Sequence, residues 1–249
     1  VNGSTARKEL KLQIVEGRPG VEVPVTVTVR DGQHEVTMAH KVEIVACPES
    51  QPLAGFDSSA EWRISNRAKW TAKLKSDGAV SCRADDKLET MQTSVGDEPY
   101  WEWFGLLVSE QSDNKAYAHA GLRFEFGDKA WIVACRRGGT DGEQWTAEVL
   151  EAVRNGEQWD PKPLANAKPV QWTQPSTSDD DYFAMFSVQR RGNRLQLVVG
   201  EAHKPPAEGA AEQMKPGEPI TVDLPANTAN AQVTLFVDKG RGEFRIKKR

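Results

Sequence analysis

The chain has 249 residues, a hydrophobic fraction of 38% and a mean hydropathy of -0.59, which suits a soluble globular protein with one large β-sandwich and a small companion, or with two ordinary domains. No stretch approaches the ~20 consecutive apolar residues of a membrane-spanning helix, so no membrane span is expected. The 32 basic and 36 acidic residues are spread along the chain and leave a formal net charge of -4, which gives no general attraction for polyanions and argues against nucleic acid as a partner.

The residues after Val1 are polar and lack the charged, apolar and cleavage regions of a signal peptide, so any leader is expected to have been removed already or never to have existed. Three strands follow, predicted over residues 10–15, 21–29 and 35–45. In the second, Val21, Val23, Val25, Val27 and Val29 alternate with Glu22, Pro24, Thr26 and Thr28, and Asp31-Gly32 is a hairpin turn signal before the third. A β-meander of about 45 residues is too short for a complete immunoglobulin-like sandwich of roughly 100 residues. It reads as part of an Ig-like domain or as a small sheet. Cys47-Pro48-Glu49-Ser50-Gln51-Pro52 has linker composition, so the expected organisation is a meander over 1–47, a linker over 48–55 and a main domain over 56–249.

The three cysteines, Cys47, Cys82 and Cys135, form no CxxC pair and no zinc-ligand spacing with the four histidines. An odd number allows at most one disulfide, with Cys47 and Cys82 the first pairing to test; three buried thiols are the alternative.

From Phe56 onward short β-like runs recur between turn clusters. The Pro- and Gly-bearing loops are 160–169, 174–181 and 204–219. The two helix candidates are 147–154 and 207–214, and 147–154 reads equally as a strand. Many short strands between such turns indicate a two-sheet sandwich.

The stretch 101–126 reads as a hairpin closed by the polar loop 109–115. In its second arm Ala118, Ala120, Leu122, Phe124 and Phe126 point one way while Tyr117, His119, Gly121, Arg123 and Glu125 point the other. In the first arm Phe104, Leu106 and Val108 are taken as the core set, with Trp101, Trp103, Gly105 and Leu107 opposite. Pairing of the arms then brings Trp101, Trp103, Tyr117, His119, Arg123 and Glu125 onto one surface. Flat aromatic rings beside carboxylate, guanidinium and imidazole groups suit a sugar, whose CH faces stack and whose hydroxyls pair. The competing reading is that Trp101 and Trp103 serve only packing, because large aromatics are more often buried than displayed. Trp62, Trp70, Trp145, Trp159 and Trp172 are assigned to packing, and the orientation of Trp131 depends on the turn at Gly127-Asp128.

Gly105-Leu106-Leu107-Val108, the turn containing Asp113-Asn114 and the strand 117–126 resemble a recurring hairpin of concanavalin A-like lectin and glucanase modules, including those at the C-terminus of some β-xylosidases. Residues 183–190, the turn Arg191-Gly192-Asn193 and residues 194–199 are similar to a later hairpin of such modules. Val233-Thr234-Leu235-Phe236-Val237 and Gly242-Glu243-Phe244-Arg245-Ile246 look like their final strands. The resemblance covers roughly 56–249 and implies a jelly-roll sandwich of two antiparallel sheets. Two departures stand out. Catalytic members often carry a Glu-x-Asp-x-x-Glu strand, which is missing here, and many modules place an acidic pair beside a structural calcium where this chain has the single Glu243.

Hydrolysis of a glycosidic bond needs two carboxylates about 5 to 10 Å apart. The face bearing Glu125 offers no second one unless Glu148 or Glu151 reaches it from a neighbouring strand, and Glu102 is a poor partner. There is no Gly-x-Ser-x-Gly elbow for Ser-His-Asp chemistry, and the glycine-rich run 137–142 lacks the lysine and helix of a P-loop. The basic tail Arg241, Arg245, Lys247, Lys248 and Arg249 reads as a solvated end. The first functional reading is therefore a non-catalytic carbohydrate-binding module of a secreted, periplasmic or cell-surface protein, with a glycan or polysaccharide as partner and no cofactor required, a structural calcium being the one ion that the resemblance allows. A structural or adhesive module within a larger surface protein is the second reading, and a glycoside hydrolase the third.

Overall fold

The structure, a computed structural model, describes residues 22–31, 34–43, 51–52, 62–73, 79–84, 87–95, 98–110, 118–139, 142–175, 181–204, 212–226, 228 and 231–248. The chain divides into two compact units, Val1–Pro48 and Glu49–Arg249. In the first, β1 (Glu22–Asp31) and β2 (His34–Glu43) form an antiparallel ribbon in register from Glu22 opposite Glu43 to Asp31 opposite His34. The valine alternation in β1 and the turn signal at Asp31-Gly32 are the sequence basis for this pairing. The strand expected over 10–15 lies outside the described residues.

Among the described residues of the second unit every strand pairing is antiparallel. Its strands are β3 (Gln51–Pro52), β4 (Arg63–Ile64), β5 (Trp70–Lys73), β6 (Ala79–Ala84), β7 (Glu89–Ser94), β8 (Tyr100–Glu110), β9 (Ala118–Phe126), β10 (Lys129–Gly138) and β11 (Gln144–Asn155). They continue with β12 (Gln158–Pro163), β13 (Val170–Thr173), β14 (Asp181–Arg191), β15 (Arg194–Lys204), β16 (Gln213–Pro216), β17 (Ile220–Asp223) and β18 (Gln232–Lys248). Among the described residues the only helical turn is the 3-10 turn Arg67–Lys69, capped by the Asn66 side chain. Residues 147–154, one of the two helix candidates, lie within β11, and Gln213 and Met214 of the other begin β16. Among the described residues no helix is long and apolar enough to cross a membrane.

Two sheets share one strand. Sheet I runs β5, β6, β18, β8, β14, β15, with β16 and β17 end to end along the outer edge of β15. Sheet II runs β4, β7, β18, β9, β10, β11, with β12 and β13 arranged likewise along β11. The first half of β18, Gln232 to Val237, pairs with β7 and β9, and the second half, Gly240 to Lys248, pairs with β6, β8 and β3. The register shifts between Val237 and Lys239, and Gly240 takes φ 75°, so a bulge and a left-handed glycine turn the strand through the corner between the sheets. The two runs that resemble final strands of concanavalin-like modules are thus consecutive parts of one strand.

Among the described residues of the second unit, three hairpins close with two-residue turns, at Gly127-Asp128, Gly156-Glu157 and Gly192-Asn193, whose glycines have φ 68°, 64° and 58°. Such turns match the twist of the paired strands and need a residue at positive φ. The first fixes the orientation of Trp131, which is buried and packs edge-on to Phe126. The outer edges carry prolines, Pro161 and Pro163 on β12 and Pro216 on β16, which block further strand pairing.

The sheets face each other across one apolar core. Trp101, Trp103 and Leu107 of β8, Phe186 and Val188 of β14 and Phe244 and Ile246 of β18 meet Leu122 and Phe124 of β9 and Val133 of β10. The Phe124 ring lies under Trp101, stacked at 5.7 Å, and beside Trp103, edge-on at 6.1 Å. Cys82 and Cys135 are buried thiols, and Cys47 lies outside the described residues.

This arrangement corrects the expected hairpin over 101–126. β8 pairs with β14 and β18 in sheet I, whereas β9 pairs with β10 and β18 in sheet II. The intervening loop therefore joins two sheets. The phase expected of β9 holds, with Ala120, Leu122, Phe124 and Phe126 in the core, but β8 is buried on both sides. Trp101, Trp103 and Leu107, expected on the outer side, pack into the core, and Leu106 and Val108 of the expected core set are buried in the same apolar cluster. A central strand apolar on both sides carries no alternation from which to read its phase.

Candidate functional site

β9 is flanked by β10 on one side and the first half of β18 on the other, so its outward residues His119, Arg123 and Glu125 sit near the middle of sheet II. A row of register-matched residues crosses this outer face from β4 to β11: Arg63, Gln92, Thr234, Arg123, Ile132 and Leu150. The row is polar at one end and apolar at the other. On the apolar half, Ala130, Ile132, Ala134, Leu150, Ala152 and Phe236 form a small satellite cluster with Trp159 packed against it. On the polar half, the sheet is dished into a cleft of about 260 Å³ lined by Arg63, Ile64, Ser65, Thr90, Gln92, Arg123 and Thr234.

Glu125 organises the cleft from behind. Its Oε1 accepts from Arg123 Nε at 2.9 Å and from the Thr234 hydroxyl, and its Oε2 accepts from Gln92 Nε2 at 3.4 Å. The Arg123 guanidinium also lies over the Trp159 ring, 5.1 Å from its centroid. An ion pair on one edge and an aromatic face beneath fix its position before any ligand arrives. Burial lowers the Arg123 pKa, with Glu125 opposing that effect. At the rim, the Ser65 hydroxyl donates to Glu89 Oε2 at 2.7 Å and accepts from the Thr90 amide at 2.9 Å.

Further along the same face His119 is packed edge-on to Phe236, with Nδ1 3.9 Å from Asp238. Its pKa falls to about 4, chiefly because burial penalises the imidazolium; Asp238 opposes this and Arg136 reinforces it. Beyond it Arg136 donates to Glu148 at 2.6 Å. Burial pushes the Glu148 carboxyl above its ordinary range, and Arg136 restrains the rise.

Of the six residues expected on one ligand surface, His119, Arg123 and Glu125 do share a face. Trp101 and Trp103 are each 1% exposed within the core, so they cannot stack against a ligand, and Tyr117 lies outside the described residues. Glu102 is on the side of β8 away from the core, where it accepts from Ser187 and Gln189 at 2.9 Å each. The residues that complete the cleft, Arg63, Ser65, Thr90, Gln92 and Thr234, come from β4 and the residue that follows it, from β7 and from β18. β4 is only two residues long, and β18 is remote from β9 in sequence. The one available signal was the alternation of Thr234 and Phe236 with Val233, Leu235 and Val237.

A second cleft, about 170 Å³, is lined by residues including Arg137, Trp145, Gln174, Asp181, Glu243 and Arg245. Both of its arginines are engaged: Arg245 donates to Glu243 at 3.0 Å, and Arg137 lies over Trp145 while donating to Gln174 at 3.4 Å. Glu243, the acidic residue that the resemblance sets beside a calcium, is thus engaged by arginine, with Arg241 a further 3.8 Å contact. Among the described residues no group of three or more His, Cys, Asp or Glu side chains is gathered closely enough to hold a metal ion.

No protein-family profile matches the chain, and no curated protein sequence matches it. Among solved structures it is similar to the CBM2 module of the evolved Dit of Lactobacillus casei BL23 phage J-1, with a TM-score of 0.40 and 9% identity over 69% of this chain and 75% of that one.

Proposed function

We propose that the second unit is a non-catalytic carbohydrate-binding module of a secreted or surface protein, and that it takes a glycan in the cleft formed by β4, β7, β18 and β9. The observation that carries this reading is the wall of that cleft, where an amide, three hydroxyls and two guanidiniums are spread over an open, dished sheet surface. Saccharide hydroxyls both donate and accept, and a wall of mixed polar groups serves both directions. The buried Glu125, already accepting from three side chains, acts as the anchor of that wall, which favours binding over hydrolysis. The resemblance of residues 56–249 to concanavalin-like modules belongs to the same reading.

An open cleft excludes water incompletely, so the expected dissociation constants are micromolar to millimolar, about -8 to -4 kcal/mol. A glycan-array screen of the purified chain should find a ligand, and titration calorimetry should then show that Gln92→Ala weakens it about tenfold at unchanged melting temperature. Absence of any bound glycan, or full affinity in Gln92→Ala, would remove the cleft from consideration.

A further inference from the structure

We infer that the glycan recognised by this cleft is an acidic one, held through a carboxylate or sulfate ester by Arg63 together with Arg123. The inference rests on the carbohydrate-binding reading and names the class of saccharide. It follows from where the charges lie. The cleft wall contains two arginines and no acidic residue, in a chain whose formal charge is -4. The nearby carboxylates are turned to other work: Glu125 accepts from Arg123, Gln92 and Thr234, and Glu89 accepts from Ser65. The second cleft is mixed instead, since Asp181 and Glu243 share its wall with Arg137 and Arg245.

The two arginines differ in a useful way. Arg123 has one edge on Glu125 and its plane over Trp159, so its charge is largely answered and its position fixed. Arg63 is exposed on a two-residue strand at the cleft wall and has no acidic partner among the described residues. It is the net positive charge of the site. A guanidinium offers paired N–H groups that match the two oxygens of a carboxylate or sulfate, and Gln92 and Thr234 lie between the two arginines in the row. A neutral sugar would leave the Arg63 fork facing water.

The test uses the full chain and three probes: an oligogalacturonate, the same oligomer with its carboxylates reduced to primary alcohols, and a sulfated neutral oligosaccharide of equal length. At low salt an acidic probe should bind about tenfold more tightly than the reduced one. That preference should shrink to within about twofold in Arg63→Gln and should weaken as salt is raised. Preference for the sulfated probe over the uronate, or the reverse, identifies the anion and supports the inference either way. Equal affinity for uronate, sulfated and reduced probes, with binding still weakened by Gln92→Ala, overturns the acidic class and leaves the glycan site standing. An acid preference that survives in Arg63→Gln overturns the assignment to Arg63. Failure of all probes, and of a wider glycan screen, overturns the carbohydrate reading and this inference with it.

Discussion

Replacing Trp103 by Ala separates two opposite pictures of β8. Were Trp103 displayed on a ligand face, its removal would spare the fold; in the structure it is 1% exposed and edge-on to Phe124 at 6.1 Å. A fully buried Trp→Ala change typically costs about 3 to 5 kcal/mol, the lost contacts with neighbouring rings included. The expected loss is therefore about 3 to 5 kcal/mol, a large share of the ~5 to 15 kcal/mol that holds a domain together. Trp103→Phe should be far milder, about 1 kcal/mol, because it keeps most of the packing and removes an indole N–H that is buried without an acceptor among the described residues. Urea denaturation followed by far-ultraviolet circular dichroism measures both, and Arg63→Ala, on the exposed rim, should shift stability by less than about 0.5 kcal/mol in the same assay. A loss below about 1 kcal/mol for Trp103→Ala, at unchanged denaturant slope, would mean that β8 presents its other face to the core.

Further perturbations probe other parts of the second unit. Gly105→Ala should prevent folding or nearly so, since a Cβ there would lie 1.9 Å from the Arg245 carbonyl oxygen of the adjacent strand; soluble protein of native melting temperature would refute that close approach. Glu125→Ala should cost about 3 to 5 kcal/mol by leaving Arg123 part-buried without its counter-ion, whereas Arg123→Met with Glu125→Leu should recover most of it, a comparison suited to a double-mutant cycle. His119 has a folded pKa of about 4 against an ordinary 6.5, so the unfolded chain takes up a proton that the folded chain refuses. Its contribution is complete above pH 6.5 and falls away toward pH 4, with about 3 kcal/mol at stake. Denaturation midpoints at pH 7 and pH 4.5 should converge when His119 is replaced by Gln, and an unchanged pH slope in that variant would refute the assignment.

Local signals in the sequence were accurate where one residue type dictates one geometry. Gly192-Asn193 closes β14 on β15, Gly127-Asp128 closes β9 on β10, and the alternation of β9 gives its core face correctly, because its outward side is mostly polar. What escaped was non-local. β8 is apolar on both sides, so Trp101 and Trp103 and their neighbours Leu106 and Val108 offered two equally good phases. The polar loop after β8 looks like a hairpin turn whether it joins two arms or two sheets. The candidate site suffered most from this, since its residues come from β4, β7, β9 and β18. Arg123 and Glu125 were visible as outward polar residues of β9, but no spacing rule places Arg63 or Thr234 beside them.

The position of β18 in the chain also sets an order of events. All the strands it joins, β3, β6, β7, β8 and β9, are synthesised before it. Until it arrives, β7 and β9 in one sheet and β6 and β8 in the other have an unfilled gap between them. Each gap is one strand wide and lined by open backbone donors and acceptors, a surface prone to capture strands from other chains. Completion of both sheets waits on β18, and its pairing is expected to be slow because every contact it makes with β6 to β9 spans more than a hundred residues of chain. During that interval the nascent protein is most exposed to misassembly, and a chaperone that shields strand edges would act on it there.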